Sequence, residues 1–303
     1  MTRQRAPLPS RLAPTPWLLL ALTILSWGGN VVAARAGAGE ISFMALICLR
    51  WLIVCALVFA WAGRGLGASL AELRPHWRYM LAMGALGYTA SNAFMFEGAL
   101  FTSGINIAII PAIMPVLVII GARLIYGAPV TGLRAGGVLV TLAGIMVIAT
   151  RGDISTLSRL EFNRGDLLEL AGSVTYASFT LALRERPPLS SFSLFIGMAL
   201  AAFVTSLPLM AAEAALGGFV APGWRGLAVL FYVSVFTSLV GHVCWIRAVA
   251  AIGPSRAGVF QNLVPVVGAM LAVLLLHETF EWFHAVSLAL VLGGIYISER
   301  LGR

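Results

Sequence analysis

The sequence contains no lysine and little charge of either sign. Of its 303 residues, 11% are charged, against roughly 25% in soluble domains. A surface that faces water on every side cannot be built from so few. The net charge of +8 is carried by arginines scattered among the connecting segments. That scatter excludes the clustered basic face that nucleic acid binding needs. Cysteine is scarce too. Cys48, Cys55 and Cys244 all fall inside apolar runs. Cys48 and Cys55 lie seven residues apart, too far for a disulfide on a regular helix, so packing is their expected role. No metal or cofactor is expected. Catalytic motifs are missing as well: His277-Glu278 would need a second histidine at 281, where Glu281 stands. No G-x-S-x-G and no paired central aspartates occur, so the chain is not expected to be an enzyme.

What is present is apolar sequence, 60% of the chain. Ten stretches are long enough to span a bilayer: 17–35, 41–62, 77–98, 104–126, 132–150, 166–184, 192–214, 226–249, 255–277 and 282–299. The expected fold is an all-α integral membrane protein of ten transmembrane helices. The first run, although preceded by arginines and followed by Ala36-Gly37-Ala38, is expected to belong to the fold rather than to a cleaved signal. With the N-terminus in the cytosol, fourteen arginines fall on inside segments and five on outside loops. That bias predicts both termini in the cytoplasm.

A repeat organises the chain. Residues 104–148 align without a gap on 254–298, at an offset of 150. The register pairs Pro115 with Pro265, Ala122 with Ala272 and Gly144 with Gly294. At an offset of 149, Trp27 meets Tyr176 and Arg35 meets Arg184. Five spans per half is an odd number, so the halves are expected to run in opposite senses, as an inverted repeat around a central cavity. The expected division is a cytosolic segment 1–16, a first repeat 17–150, a loop 151–165, a second repeat 166–299 and a tail 300–303.

Several short motifs occur in a telling order. They are Ser26-Trp27-Gly28 with Arg35, Arg50, Glu97-Gly98-Ala99-Leu100, Pro115, Arg247-Ala248-Val249, Pro265, Glu278 and Gly293-Gly294. In order and spacing the chain resembles the drug/metabolite transporter superfamily, in its EamA-domain branch. Within that branch it looks most like the YddG-type exporters of aromatic amino acids. The resemblance implies a basket-shaped fold with a central cavity, amino-acid efflux, and residence in the bacterial inner membrane.

A transport site belongs near midplane, where buried polar groups face a cavity or another helix. Span 1 offers Ser26, Trp27 and Asn30, as a cavity wall or as interhelical hydrogen-bonding groups. Span 3 offers Tyr88, Asn92 and Met95, and span 8 offers Ser238, His242 and Trp245, two equivalent stripes at the offset of 150. Trp27, Tyr88, Tyr176 and Trp245 could form flat apolar walls, with Asn92 and His242 at the polar end. Each also has a plain packing role open to it. Pro111, Pro115 and Pro265 are expected to kink their helices and could serve as hinges. Small residues in spans 5 and 10 (Gly132, Gly136, Gly137; Ala285, Ala289, Gly293) suit close helix contact, within one chain or between two. Arg50 is the one arginine deep in a span, and its partner is expected to be Glu97 or a substrate carboxylate. A carrier for another small metabolite, such as a drug, is the alternative, with a channel behind it. The expected partners are the substrate and the bilayer, and the protein could be a monomer or a homodimer.

Overall fold

The computed structural model describes residues 15–36, 39–62, 66–159, 162–277 and 279–298. Arg3, Arg5, Arg11, Arg64, Glu161, Glu278 and the tail from 300 lie outside them, as does the side chain of Arg35. Within them the chain runs as ten helical rods: α1 (Pro16–Ala36), α2 (Phe43–Ala62), α3 (77–99), α4 (104–126), α5 (Gly132–Ala149), α6 (164–185), α7 (Ser191–Ala215), α8 (Trp224–Ile252), α9 (Pro254–Leu276) and α10 (Trp282–Tyr296). The ends agree with the expected apolar stretches to within three residues. Six of the rods, α2, α4, α5, α7, α8 and α9, are long and apolar enough to cross a membrane by length and composition. A helix expected as loop, Leu66–Leu73, precedes α3 and ends in a one-turn 3₁₀ segment at Pro75.

Local chemistry sets the ends. Thr131, Ser190 and Ser103 cap α5, α7 and α4 by accepting from backbone amides of the first turn. Asn163 and Asp166 form a reciprocal capping box on α6. The start of α2 takes a cap from another rod. Glu213 of α7 supplies it, accepting from Ser42 Oγ at 2.6 Å and from the amides of Met44 and Ala45 at 3.1 and 3.0 Å.

Four rods are irregular, in equivalent places. α4 is interrupted by a 3₁₀ turn at Pro111–Ile113 and α9 by one at Phe260–Asn262. Pro115 and Pro265 follow in the first turn of the next helical piece, where a missing N–H leaves no bond unmade. The kinks expected at Pro111, Pro115 and Pro265 therefore take the form of tightened turns. α3 and α8 each contain a π-helical segment, Ala85–Ala90 and Val233–Gly241. Nothing in the sequence pattern announces either one.

The principal packing is regular. α1 lies against α8 and α9, and α6 against α3 and α4. α2 packs on α7 and α8, α7 on α2 and α3, α4 on α9, and α5 on α10. Exchanging each rod with the one five places along maps these contacts onto themselves. Glycines set the closest approaches. A Cβ on Gly137 would meet the carbonyl of Gly294 at 2.6 Å, and one on Gly144 would meet Val291 at 2.7 Å. Across the same seam Ser287 donates to the carbonyl of Gly144 at 2.8 Å. Of the small residues expected there, Gly137 takes part in this contact, while Gly132, Gly136 and Gly293 have no such neighbour. The seam uses Gly137, Gly144 and Gly294 because they, and not their neighbours, fall on the facing sides.

The eight tryptophans divide by position. Trp17, Trp61, Trp77, Trp224 and Trp282 are exposed, each at or beside the end of a rod. Trp27, Trp51 and Trp245 lie inside the bundle. Rims of indole around an apolar waist are the signature of a membrane-embedded protein, since the amphipathic ring favours the headgroup layer. The waist itself is exposed leucine, isoleucine and phenylalanine, Leu25, Leu52, Leu139 and Phe236 among them.

Candidate functional site

At the heart of the bundle, side chains from six rods meet. Trp51 of α2 lies flat on Tyr88 of α3. His242 of α8 stands edge-on to Tyr88 at 4.4 Å and to Trp51 at 5.6 Å, between ring centroids. Trp27 of α1 touches His242, Trp245 and Tyr176 at 5.5, 5.4 and 6.0 Å. Phe179 of α6 bridges Tyr88 and Tyr176, and Phe195 of α7 closes the side at Trp51. Such pairs contribute about 0.5–1.5 kcal/mol each beyond area burial.

The π segment of α8 is tied down by α1. Trp27 Nε1 donates to the carbonyl of Thr237 at 3.2 Å, and Thr23 Oγ1 donates to that of Gly241 at 3.2 Å. In return Tyr232 and Thr237 donate to the carbonyl of Ser26. His242 Nδ1 lies 3.0 and 3.1 Å from the carbonyls of Thr237 and Ser238. A carbonyl only accepts, so Nδ1 carries the proton, and Nε2 of the neutral ring is an acceptor.

Arg50 closes one side of this cluster. It is 2% exposed, and its guanidinium lies 5.3 Å from the Trp51 ring. Its hydrogen bond is a long one, Nη2 to the carbonyl of Tyr88 at 3.5 Å. No carboxylate among the described residues comes within ion-pairing distance. The expected pair with Glu97 is therefore not formed: Glu97 sits almost two turns beyond the end of the π segment on α3, and Arg50 reaches back to Tyr88. Around Arg50, further polar atoms are buried without a partner: Arg50 Nε, Trp51 Nε1, Tyr88 Oη, Tyr176 Oη, Trp245 Nε1 and Ser238 Oγ. Each such group costs about 1–3 kcal/mol. Folded proteins rarely leave one, and a concentration of them calls for an explanation.

Of the residues singled out from sequence, Trp27, Tyr88, Tyr176, His242 and Trp245 come together here, with Ser238 buried one turn before His242. Ser26 contributes its carbonyl to the α1–α8 seam. Asn30 is half-buried beyond the cluster on α1 and joins none of its hydrogen bonds. Asn92 turns its amide back to the Tyr88 carbonyl at 2.9 Å. Met95 packs against Gly172 of α6. The stripe of Tyr88, Asn92 and Met95 does not face the centre as a unit, because π winding at Tyr88 rephases the helix that follows. Trp51, Phe179 and Phe195 were missed. Only Trp51 carried a signal, as the neighbour of the one deeply placed arginine.

A helical bundle with rims of indole, a lipid-type waist and a buried, polar, aromatic midplane is the architecture of a polytopic membrane carrier. The EamA-like transporter family matches the chain twice, over residues 15–150 and 163–299, and the chain belongs to that family. It is a membrane transporter. Among its relatives, the uncharacterized transporter YyaM of Bacillus subtilis is 27% identical over 76% of this chain and 75% of its own length. A probable terminal-alkyne amino-acid exporter of Streptantibioticus cattleyicolor is 26% identical, over 97% of this chain and 96% of its own. A probable amino-acid metabolite efflux pump of Escherichia coli is 22% identical, over 93% of each. A solved crystal structure shares the fold with a TM-score of 0.78 at 19% identity, covering 95% of this chain and 97% of that one.

Proposed function

We propose that this transporter exports aromatic or other neutral amino acids across the inner membrane by alternating access, in the manner of the YddG-type exporters. The observation that carries the reading is Arg50: a buried guanidinium, unanswered by a carboxylate among the described residues, beside rings whose own polar atoms are unpaired. An amino acid supplies what is missing. Its carboxylate answers Arg50, its side chain lies among Trp27, Tyr88, Tyr176 and Trp245, and its ammonium has the Nε2 of His242 and the phenolic oxygens as acceptors.

All ten rods span the membrane in this reading, with both termini in the cytoplasm. The halves 17–150 and 166–299 are inverted repeats. The double family match and the exchange symmetry of the rod contacts support that division. The rings are at contact distance, so cargo enters only when they part. The 3₁₀ turns at Pro111–Ile113 and Phe260–Asn262 are the places where α4 and α9 can bend to allow it.

The test is a substrate panel in proteoliposomes, with and without a pH gradient. Saturable movement of phenylalanine, tyrosine or tryptophan, mutually competing, is expected. If all three neither move nor compete, the aromatic assignment is wrong. Equilibration that ignores the gradient rules out obligatory proton coupling.

A further inference from the structure

Where α4, α6 and α8 end and α5 and α9 begin, an open cavity of about 340 Å³ indents the bundle. That size lies within the range of small-molecule sites. Arg134, Arg184, Arg186 and Arg256 line it, and no lining residue among those described is acidic. Glu185, between two of the arginines in sequence, is exposed and does not line the cavity. Two guanidiniums are held in place: Arg186 donates to Ser191 Oγ at 3.0 Å, and Arg184 rests 4.4 Å from the centre of the Tyr126 ring. Arg134 Nε is buried without a hydrogen-bond partner. Like charges gathered in one concavity raise its potential and draw anions in.

The floor of the cavity is core. Leu183 and Val249 are 2% and 3% exposed. Leu183 lies seven residues beyond Tyr176 on α6, and Val249 four beyond Trp245 on α8. At the helical rise these separations are roughly 10 and 6 Å along the rods. The cavity thus stands directly over the ring cluster, on the face that carries most of the loop arginines. Its base is formed by core residues of the bundle, not by lipid-facing ones.

We propose that this cavity is a loading subsite, which holds the carboxylate of the cargo at the cytoplasmic mouth before it descends to Arg50. The proposal rests on the amino-acid reading for its cargo, but not for its chemistry. A small oxyanion is the ligand, and charge rather than shape recognises it.

Benzoate tests this without any flux measurement. The full chain carrying Arg50→Gln, which disables the central site, is placed in nanodiscs of phosphatidylcholine and titrated calorimetrically. Benzoate should still bind. Adding Arg134→Gln and Arg184→Gln should weaken it at least fivefold, and lysine at both positions should restore it. Binding unchanged in the glutamine pair overturns the proposal. So does equal loss in the lysine pair, which would make shape the determinant. Native mass spectrometry in discs containing phosphatidylglycerol covers the other source of an oxyanion. Tightly held phosphatidylglycerol that benzoate cannot displace, lost in the glutamine pair, assigns the cavity to lipid and overturns the proposal. Failure of amino-acid flux in proteoliposomes would sink the export reading while leaving the benzoate result standing.

Discussion

The indole of Trp51 and the phenol of Tyr88 are stacked with their centroids 4.6 Å apart and their planes 7° from parallel. Both rings are fully buried, and both polar atoms, Trp51 Nε1 and Tyr88 Oη, lack a partner among the described residues. The apolar faces are satisfied and the polar edges are not. That combination sets the pair apart from ordinary core, where hydroxyl and indole N–H groups are paired, and it supports the proposed site.

Tyr88→Phe and Tyr176→Phe divide stability from function. Each removes a hydroxyl that no group among the described residues answers. Thermal stability in detergent should hold or rise by about 1 kcal/mol, the relief of an unmet desolvation cost. Transport should weaken. A clear fall in melting temperature would mean that the hydroxyls are paired in the resting protein.

Arg50→Gln should lower kcat/KM for carboxylate-bearing cargo by about 10- to 100-fold, the equivalent of a charge-assisted hydrogen bond of about 1.5–3 kcal/mol. Amino-acid amides, measured in the same liposomes, should lose much less. Equal losses for acid and amide would place Arg50 in the scaffold.

The α5–α10 seam gives a matched pair of substitutions. Gly144→Val drives a side chain into Val291 and the Ser287 carbonyl. It should destabilise by about 1–3 kcal/mol, or abolish accumulation. Gly136→Val meets open space and should be close to neutral. Melting curves of the two proteins decide. Equal damage would show that Gly136 is also buried, in a contact with a second chain.

Glu213→Gln keeps one acceptor oxygen where three donors now converge. A loss of about 1–2 kcal/mol is expected, in line with removal of a helix cap. Hydrogen exchange at the Met44 and Ala45 amides should accelerate while the ring cluster stays protected.

Much of this architecture is written in the sequence, because a bilayer demands long apolar runs and those runs cannot be hidden. The ends of α4 (104–126) were legible from the apolar run alone, and Ser103 before it and Gly127 after it supply the caps in the fold. The prolines pointed to irregular stretches in α4 and α9, and the 3₁₀ turns fall just before Pro115 and Pro265. The centre was only partly legible. Trp27, Tyr176, His242 and Trp245 stood out as aromatic or titratable residues near span midpoints. Phe179 and Phe195 looked like any other apolar residue, since burial against a particular neighbour is a tertiary fact. Arg50 was visible as a charge in the wrong place. Its lack of an acidic partner among the described residues could not be read from one dimension.

The two π segments, Ala85–Ala90 and Val233–Gly241, have a consequence of their own. A π turn is an α-helix that has taken up one surplus residue, and it rotates everything beyond it by about a quarter turn. The aim of His242 and Trp245 is thus a matter of counting as much as of identity. Delete one residue from Val233–Gly241 and every side chain downstream keeps its chemistry but loses its address. Homologues that share these residue types but differ by one residue in this stretch would present a differently shaped chamber, which makes residue number in the π segments a tuning variable for cargo that no substitution table records.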